Sequence, residues 1–165
     1  MTVEERLRRL EDDRAIRDLK ARYLRACDLK QPEAVRDTLH PRNAVIAYEG
    51  FPAFDDRDAF VETFREMGCR PGVFDIHHAA NGVITFDSAE QASGQWSLFF
   101  HNIDLSRQTV TQFGIEYDDI YTKEDGRWWI AETRTRRTSA LVHTVDAKGA
   151  PVVSIMGEVA GAFGR

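Results

Sequence analysis

The chain has 165 residues, 42% hydrophobic and 30% charged, with a formal net charge of −5. That length suits one domain with one sizeable core. The acidic balance leaves no basic footprint for nucleic acid or an anionic membrane, and no run approaches the roughly 18 apolar residues of a membrane span.

Cys27 and Cys69 stand far apart without a C-x-x-C pattern, which reads as two reduced thiols of a cytosolic protein, with a structural disulfide as the alternative. Charge begins at Glu4, so no signal peptide is visible and the expected location is cytoplasmic.

The first third reads as helix. Leu7, Leu10, Ile16, Leu19, Tyr23 and Cys27 form an apolar stripe opposite mixed acids and arginines. Asp12 or Asp13 offers a cap for a break that would set off a short lead helix. Lys30-Gln31-Pro32-Glu33 ends the main helix and starts a shorter one, which stops near Leu39-His40-Pro41. Ala44 to Tyr48 reads as a strand and Gly50 to Ala53 as a loop. Asp55 or Asp56 then caps a third helix carrying Phe60, Phe64 and Met67.

From Val73 the period changes to two. Ile76, His78, Ala80, Gly82, Ile84 and Phe86 make one strand face, the more apolar one, and His77 falls on the other. Ser88-Ala89-Glu90 turns into a strand reaching about Ile103, with Trp96, Leu98 and Phe100 on one face. Another strand runs from Thr109 to Tyr121. Glu124-Asp125-Gly126 is a hairpin turn into a last strand through Trp128 and Ile130. The expected fold is α+β: a curved antiparallel sheet wrapped around N-terminal helices in a cone-shaped roll, enclosing a hydrophobic pocket. Residues 1–146 read as this domain, and 147–165 as a C-terminal tail that either packs on a partner subunit or stays loose.

Three segments carry a family resemblance: Leu10 to Asp28, Ile76-His77-His78-Ala79-Ala80-Asn81, and Asp125-Gly126-Arg127-Trp128-Trp129-Ile130. Their order and spacing resemble SnoaL-like domains of the nuclear-transport-factor-like (cystatin-roll) superfamily, in its scytalone dehydratase, bile-acid dehydratase and lindane dehydrochlorinase branch. The resemblance implies elimination of water or halide without a cofactor, a homodimer or homotrimer, and a histidine base oriented by an aspartate with tyrosines nearby. Position by position it implies Asp28 as orienter, His78 as base, Tyr23 as hydrogen-bond donor and Tyr48 as a further tyrosine.

Those residue types suit the chemistry. Neutral imidazole takes a proton near pH 7, a carboxylate on its other nitrogen fixes the tautomer, and a phenol steadies developing negative charge on oxygen. Each has a plainer reading. Tyr23 sits on the apolar stripe and suits core packing; His78 suits a buried histidine with a backbone partner; Asp28 suits a turn. An aspartate held at a helix C-terminus, however, is disfavoured by roughly 0.3–1 kcal/mol and calls for a partner.

Trp96, Leu98, Phe100, Phe113 and Tyr117 read as pocket wall for a small hydrophobic or polycyclic molecule. His101 leaves the pocket by parity unless a bulge intervenes. Arg134 and Arg136 are candidates for a substrate carboxylate, with surface arginines of paired strands as the plainer reading. The histidines have no metal-ligand spacing, so no metal is expected. The expected function is a cofactor-independent lyase or isomerase of dehydratase, dehydrohalogenase or cyclase type. The alternative is a non-catalytic ligand-binding or structural subunit, as the beta subunits of ring-hydroxylating dioxygenases share the fold.

Overall fold

The computed structural model describes residues 1–157. Helix α1 (Val3–Asp28) opens on a capping box: the Thr2 hydroxyl accepts from the Glu5 N–H at 3.2 Å, and the Glu5 carboxylate accepts from the Thr2 N–H at 2.7 Å. It runs 26 residues without the break expected at Asp12 or Asp13. Asp12 is buried and accepts from Trp128 Nε1 and Lys123 Nζ, each at 2.7 Å, so it ties the helix to the sheet instead of capping. Ile16, Leu19, Tyr23 and Cys27 are buried as the stripe requires. Leu7 and Leu10 are exposed, because the first turns run past the core.

Two short helices follow, α2 (Pro32–Arg36) and α3 (Arg57–Met67, capped by Asp56), with strand β1 (Val45–Tyr48) between them. Then come β2 (Val73–Phe86), β3 (Gln91–Asp104), β4 (Thr109–Glu124), β5 (Arg127–Val145) and β6 (Pro151–Gly157). They form one curved, unclosed six-stranded sheet in the order β1-β5-β4-β3-β2; β1 lies parallel to β5, and β6 also pairs with β5. The concave face carries Trp96, Leu98, Tyr117, Tyr121, Trp128 and Ile130, which close over Ile16, Leu19 and Tyr23. No helix among the described residues is long and apolar enough to cross a membrane.

Strand β6 arises inside the stretch read as a tail, and its seven residues are all exposed. Residues 158–165, with Gly161 and Gly164, lie outside the described residues.

One irregularity decides the site. The β2–β3 register shifts between Ala80 and Val83, and Asn81 adopts a left-handed φ of 54°. The extra residue of this bulge inverts the parity of β2. Gly82, Ile84 and Phe86 face inward after it, as expected, but before it the inward residues are Asp75, His77 and Ala79. The bulge is held from both sides. The Gly82 carbonyl accepts from Arg17 Nη1 at 3.1 Å, and the Trp96 ring fills the space where a Cβ of residue 82 would lie. Gly82→Ala should therefore cost about 1–3 kcal/mol through overpacking, read as a lower urea midpoint; an unchanged midpoint would mean that the ring gives way freely.

Candidate active site

The sheet brings the end of α1 against the start of β2. Asp28, the last residue of α1, meets His77: Nδ1–H donates to Oδ1 at 2.6 Å, and the His77 backbone N–H donates to both carboxylate oxygens at 3.1 and 3.2 Å. The partner called for at the helix C-terminus is thus one residue earlier than expected. Because a carboxylate only accepts, Nδ1 carries the hydrogen, and the Nε2 lone pair of the neutral ring is free to take a proton. The pair is neither sealed nor solvated, with side chains 16% and 26% exposed. The His77 ring rests against Phe100, centroids 4.8 Å apart, and Phe100 stacks on Phe113 at 6.1 Å.

Deeper in, the Tyr23 and Tyr48 hydroxyls bond to each other in a short contact. Burial, above all, pushes both phenols above their ordinary range. They remain protonated at neutral pH and act as donors rather than bases. Cys27 beside them is a free thiol that burial pushes up to about 12, so it is no nucleophile.

Below the tyrosines lies a buried charge pair. Lys20 Nζ is 2.8 Å from Asp119 Oδ2, both side chains at most 1% exposed. The contact is close but not aligned as a hydrogen bond. Nζ also stands 3.5 Å from the Tyr117 ring centroid, a cation–π contact. Asp119 Oδ2 accepts from Tyr121 at 2.7 Å, whose hydroxyl in turn accepts from Trp96 Nε1 at 3.0 Å. Burial lowers the Lys20 pKa against the pull of Asp119.

The model of the SnoaL-like domain family matches residues 8–134. The chain belongs to the SnoaL-like domain family. Among solved structures it is similar to a type-2 hexachlorocyclohexane dehydrochlorinase, LinA, at 18% identity and a TM-score of 0.75, covering 94% of this chain and 98% of that one. A protein of Novosphingobium aromaticivorans provisionally assigned as a scytalone dehydratase matches at 19% identity and 0.75, covering 96% and 97%. The type-3 LinA of Novosphingobium barchaimii matches at 19% and 0.73, covering 93% and 98%. At these identities the likeness is one of fold: the cone of helices and curved sheet.

Within this SnoaL-like cone the expected site residues separate into three groups. Tyr23, Asp28 and Tyr48 sit inside. Phe100 is half-buried beside His77 and Phe113 half-buried beyond it, whereas Trp96, Leu98 and Tyr117 are buried core. Two expectations, at His78 and Arg134, fail on parity. His78 is exposed on the outer face, opposite Phe99. His101 lies on that face too, opposite Ile76, and so leaves the pocket as its parity requires, since no bulge interrupts β3 between Trp96 and His101. Arg134 is exposed and paired with Glu132.

Arg137 faces inward in its stead, opposite Ile115, because β4 and β5 slip register at Ile120/Tyr121, which inverts the parity of β5 between Ile130 and Arg137. His77, Lys20 and Arg137 were missed. A glycine after an asparagine inside a strand was the available signal for the bulge, and Lys20, four residues after Ile16, lies on the apolar stripe itself. Among the described residues no group of three or more His, Cys, Asp or Glu side chains is placed to hold a metal ion.

Proposed function

We propose that this SnoaL-like domain is a cofactor-independent lyase or isomerase that acts on a small hydrophobic ring compound, with His77 as general base. The reading is supported above all by the Asp28 carboxylate on His77 Nδ1, 2.6 Å away. His77 Nε2 takes a proton from a carbon beside an activating group, the C–H electrons form the new double bond, and the bond to the leaving group breaks. Asp28 steadies the imidazolium that results. A hydroxide leaving group takes the proton back from the His77 imidazolium and departs as water, which leaves the ring neutral; a halide departs as the anion and the imidazolium gives its proton to solvent. The Tyr23–Tyr48 pair donates to the oxygen on which charge develops.

The names of the similar structures, a dehydrochlorinase and a provisional scytalone dehydratase, fit this class. The test supplies cyclic β-hydroxy ketones, followed by enone absorbance, and chlorinated cyclohexanes, followed by chloride release. Turnover of one class, or deuterium exchange at its acidic carbon in D2O, is expected. Neither turnover nor exchange would count against the reading.

One observation favours the alternative of a binding or structural subunit. Two clefts, of about 350 and 280 Å³, open away from His77, one along Val83, Gln95 and Asp118 and the other between the start of α1 and Phe86. Proton exchange at the ligand separates the two readings, since a binding module does not catalyse it.

A homo-oligomer completes the proposal. Phe74, Ile76 and Phe99 are 55%, 42% and 49% exposed together on the outer face, and contiguous exposed apolar side chains are what an interaction surface offers. Light scattering should give a dimer or trimer, and Phe99→Glu a monomer; a monomeric parent protein would refute this.

A further inference from the structure

We infer that the ligand of this site is an acid: a body of two or more apolar rings carrying a carboxylate or similar anion, which Arg137 holds. The inference rests on the proposed site at His77 and adds the class of its substrate. The concave rim carries a continuous ledge. From His77 it passes to Phe100 at 4.8 Å, then to Phe113 at 6.1 Å with the rings 30° apart, and the Arg137 guanidinium stands 5.4 Å from the Phe113 centroid. A base thus lies at one end of two stacked phenyl rings and a cation at the other. A flat apolar body laid on the ledge would present a C–H to one and an anionic group to the other.

Arg137 is available for that contact. The other cations of the inner face are engaged: Lys20 sits against Asp119, and Lys30 is bonded to Asp75. On the outer face Arg134 and Arg136 are bonded to Glu132 and Glu116. Among the described residues the Arg137 guanidinium donates no hydrogen bond, and its Nε is buried without a partner. Glu49 comes closest at 3.7 Å, yet the other Glu49 oxygen is taken by the Arg137 backbone N–H at 2.6 Å. Glu49 therefore positions the strand while the guanidinium keeps its donors. A planar fork with unused donors above an aromatic ring recognises a planar anion. The backbone at Gly50, with φ of 87°, also passes close to Nη2, where a Cβ would come within 3.3 Å.

Pyrene-1-butyrate and its methyl ester test this by fluorescence titration, because they differ in charge but share the ring body. The acid should bind roughly tenfold more tightly than the ester, as one charge-assisted contact provides. Arg137→Gln should bring the acid to the level of the ester while ester affinity holds, which also reports an intact fold; Arg137→Lys should restore part of the difference. His77→Asn should leave the acid–ester difference unchanged, so loss of the catalytic reading and loss of this one are read separately. An acid that binds no better than its ester, whether both bind or neither does, overturns the inference. So does a preference that survives Arg137→Gln.

Discussion

His77→Ala should lower turnover by about 10²–10⁴-fold, the usual contribution of a positioned general base, while His78→Ala changes it by less than about twofold. The contrast follows from parity. The His77 ring is inward, bonded to Asp28 and packed against Phe100; the His78 ring is outward on the apolar outer face. Two adjacent residues of one strand should therefore give opposite results, which composition or general destabilisation cannot imitate. Asp28→Asn should also lower turnover, by less than His77→Ala, because an amide can still hold the ring but does not stabilise the imidazolium. Steady-state rates with the substrate class found above check all three. Equal losses at 77 and 78 would show that the effect is structural.

The second large effect is on stability. Lys20→Met should lower the free energy of unfolding by about 3–5 kcal/mol, because it strands Asp119 as a buried charge without its cation. The Lys20–Asp119 pair is fully enclosed, and Asp119 has one oxygen without a partner. Adding Asp119→Asn should recover part of the loss, since the amide is neutral and its oxygen still accepts from Tyr121.

The pH dependence has a definite sign. Burial lowers the Lys20 pKa in the folded state, so holding it charged opposes folding at low pH. That opposition fades as pH rises from the lowered folded value toward the ordinary lysine value of about 10.4. Relative to Lys20→Met, the parent protein should therefore gain stability with pH until about 10. Beyond that the buried tyrosines, whose folded pKa values are raised, begin to favour the unfolded chain. Urea unfolding across pH 6 to about 10 checks both sign and size. A loss below about 1 kcal/mol would show that the interior relaxes around the lone carboxylate.

The elements that were legible in the sequence are those whose period survives unbroken. Ile16, Leu19, Tyr23 and Cys27 recur on one helical face and are buried. Trp96, Leu98 and Phe100 alternate along a strand without a bulge, and they share the concave face. The site was half legible for the same reason. Asp28 could be identified because a helix C-terminus is an awkward place for a carboxylate, but its partner depended on counting through Asn81 and Gly82. One extra residue there moves His77 in and His78 out. The exchange of Arg134 for Arg137 repeats the lesson on β5, where the slip of register at Ile120/Tyr121 changes which arginine faces inward. Lys20 was passed over because lysine on a helix is ordinarily solvated, and only the three-dimensional placement of Asp119 compensates its burial.

Imidazole nitrogen NMR of the intact protein, with and without Asp28→Asn, tests the whole account most directly. The His77 signals should report hydrogen on Nδ1 in the neutral ring and should move on Asp28→Asn, while those of His78 stay at solvent-exposed positions in both proteins. A neutral His77 with its hydrogen on Nε2 and no response to Asp28→Asn, or a response at His78 instead, would contradict it.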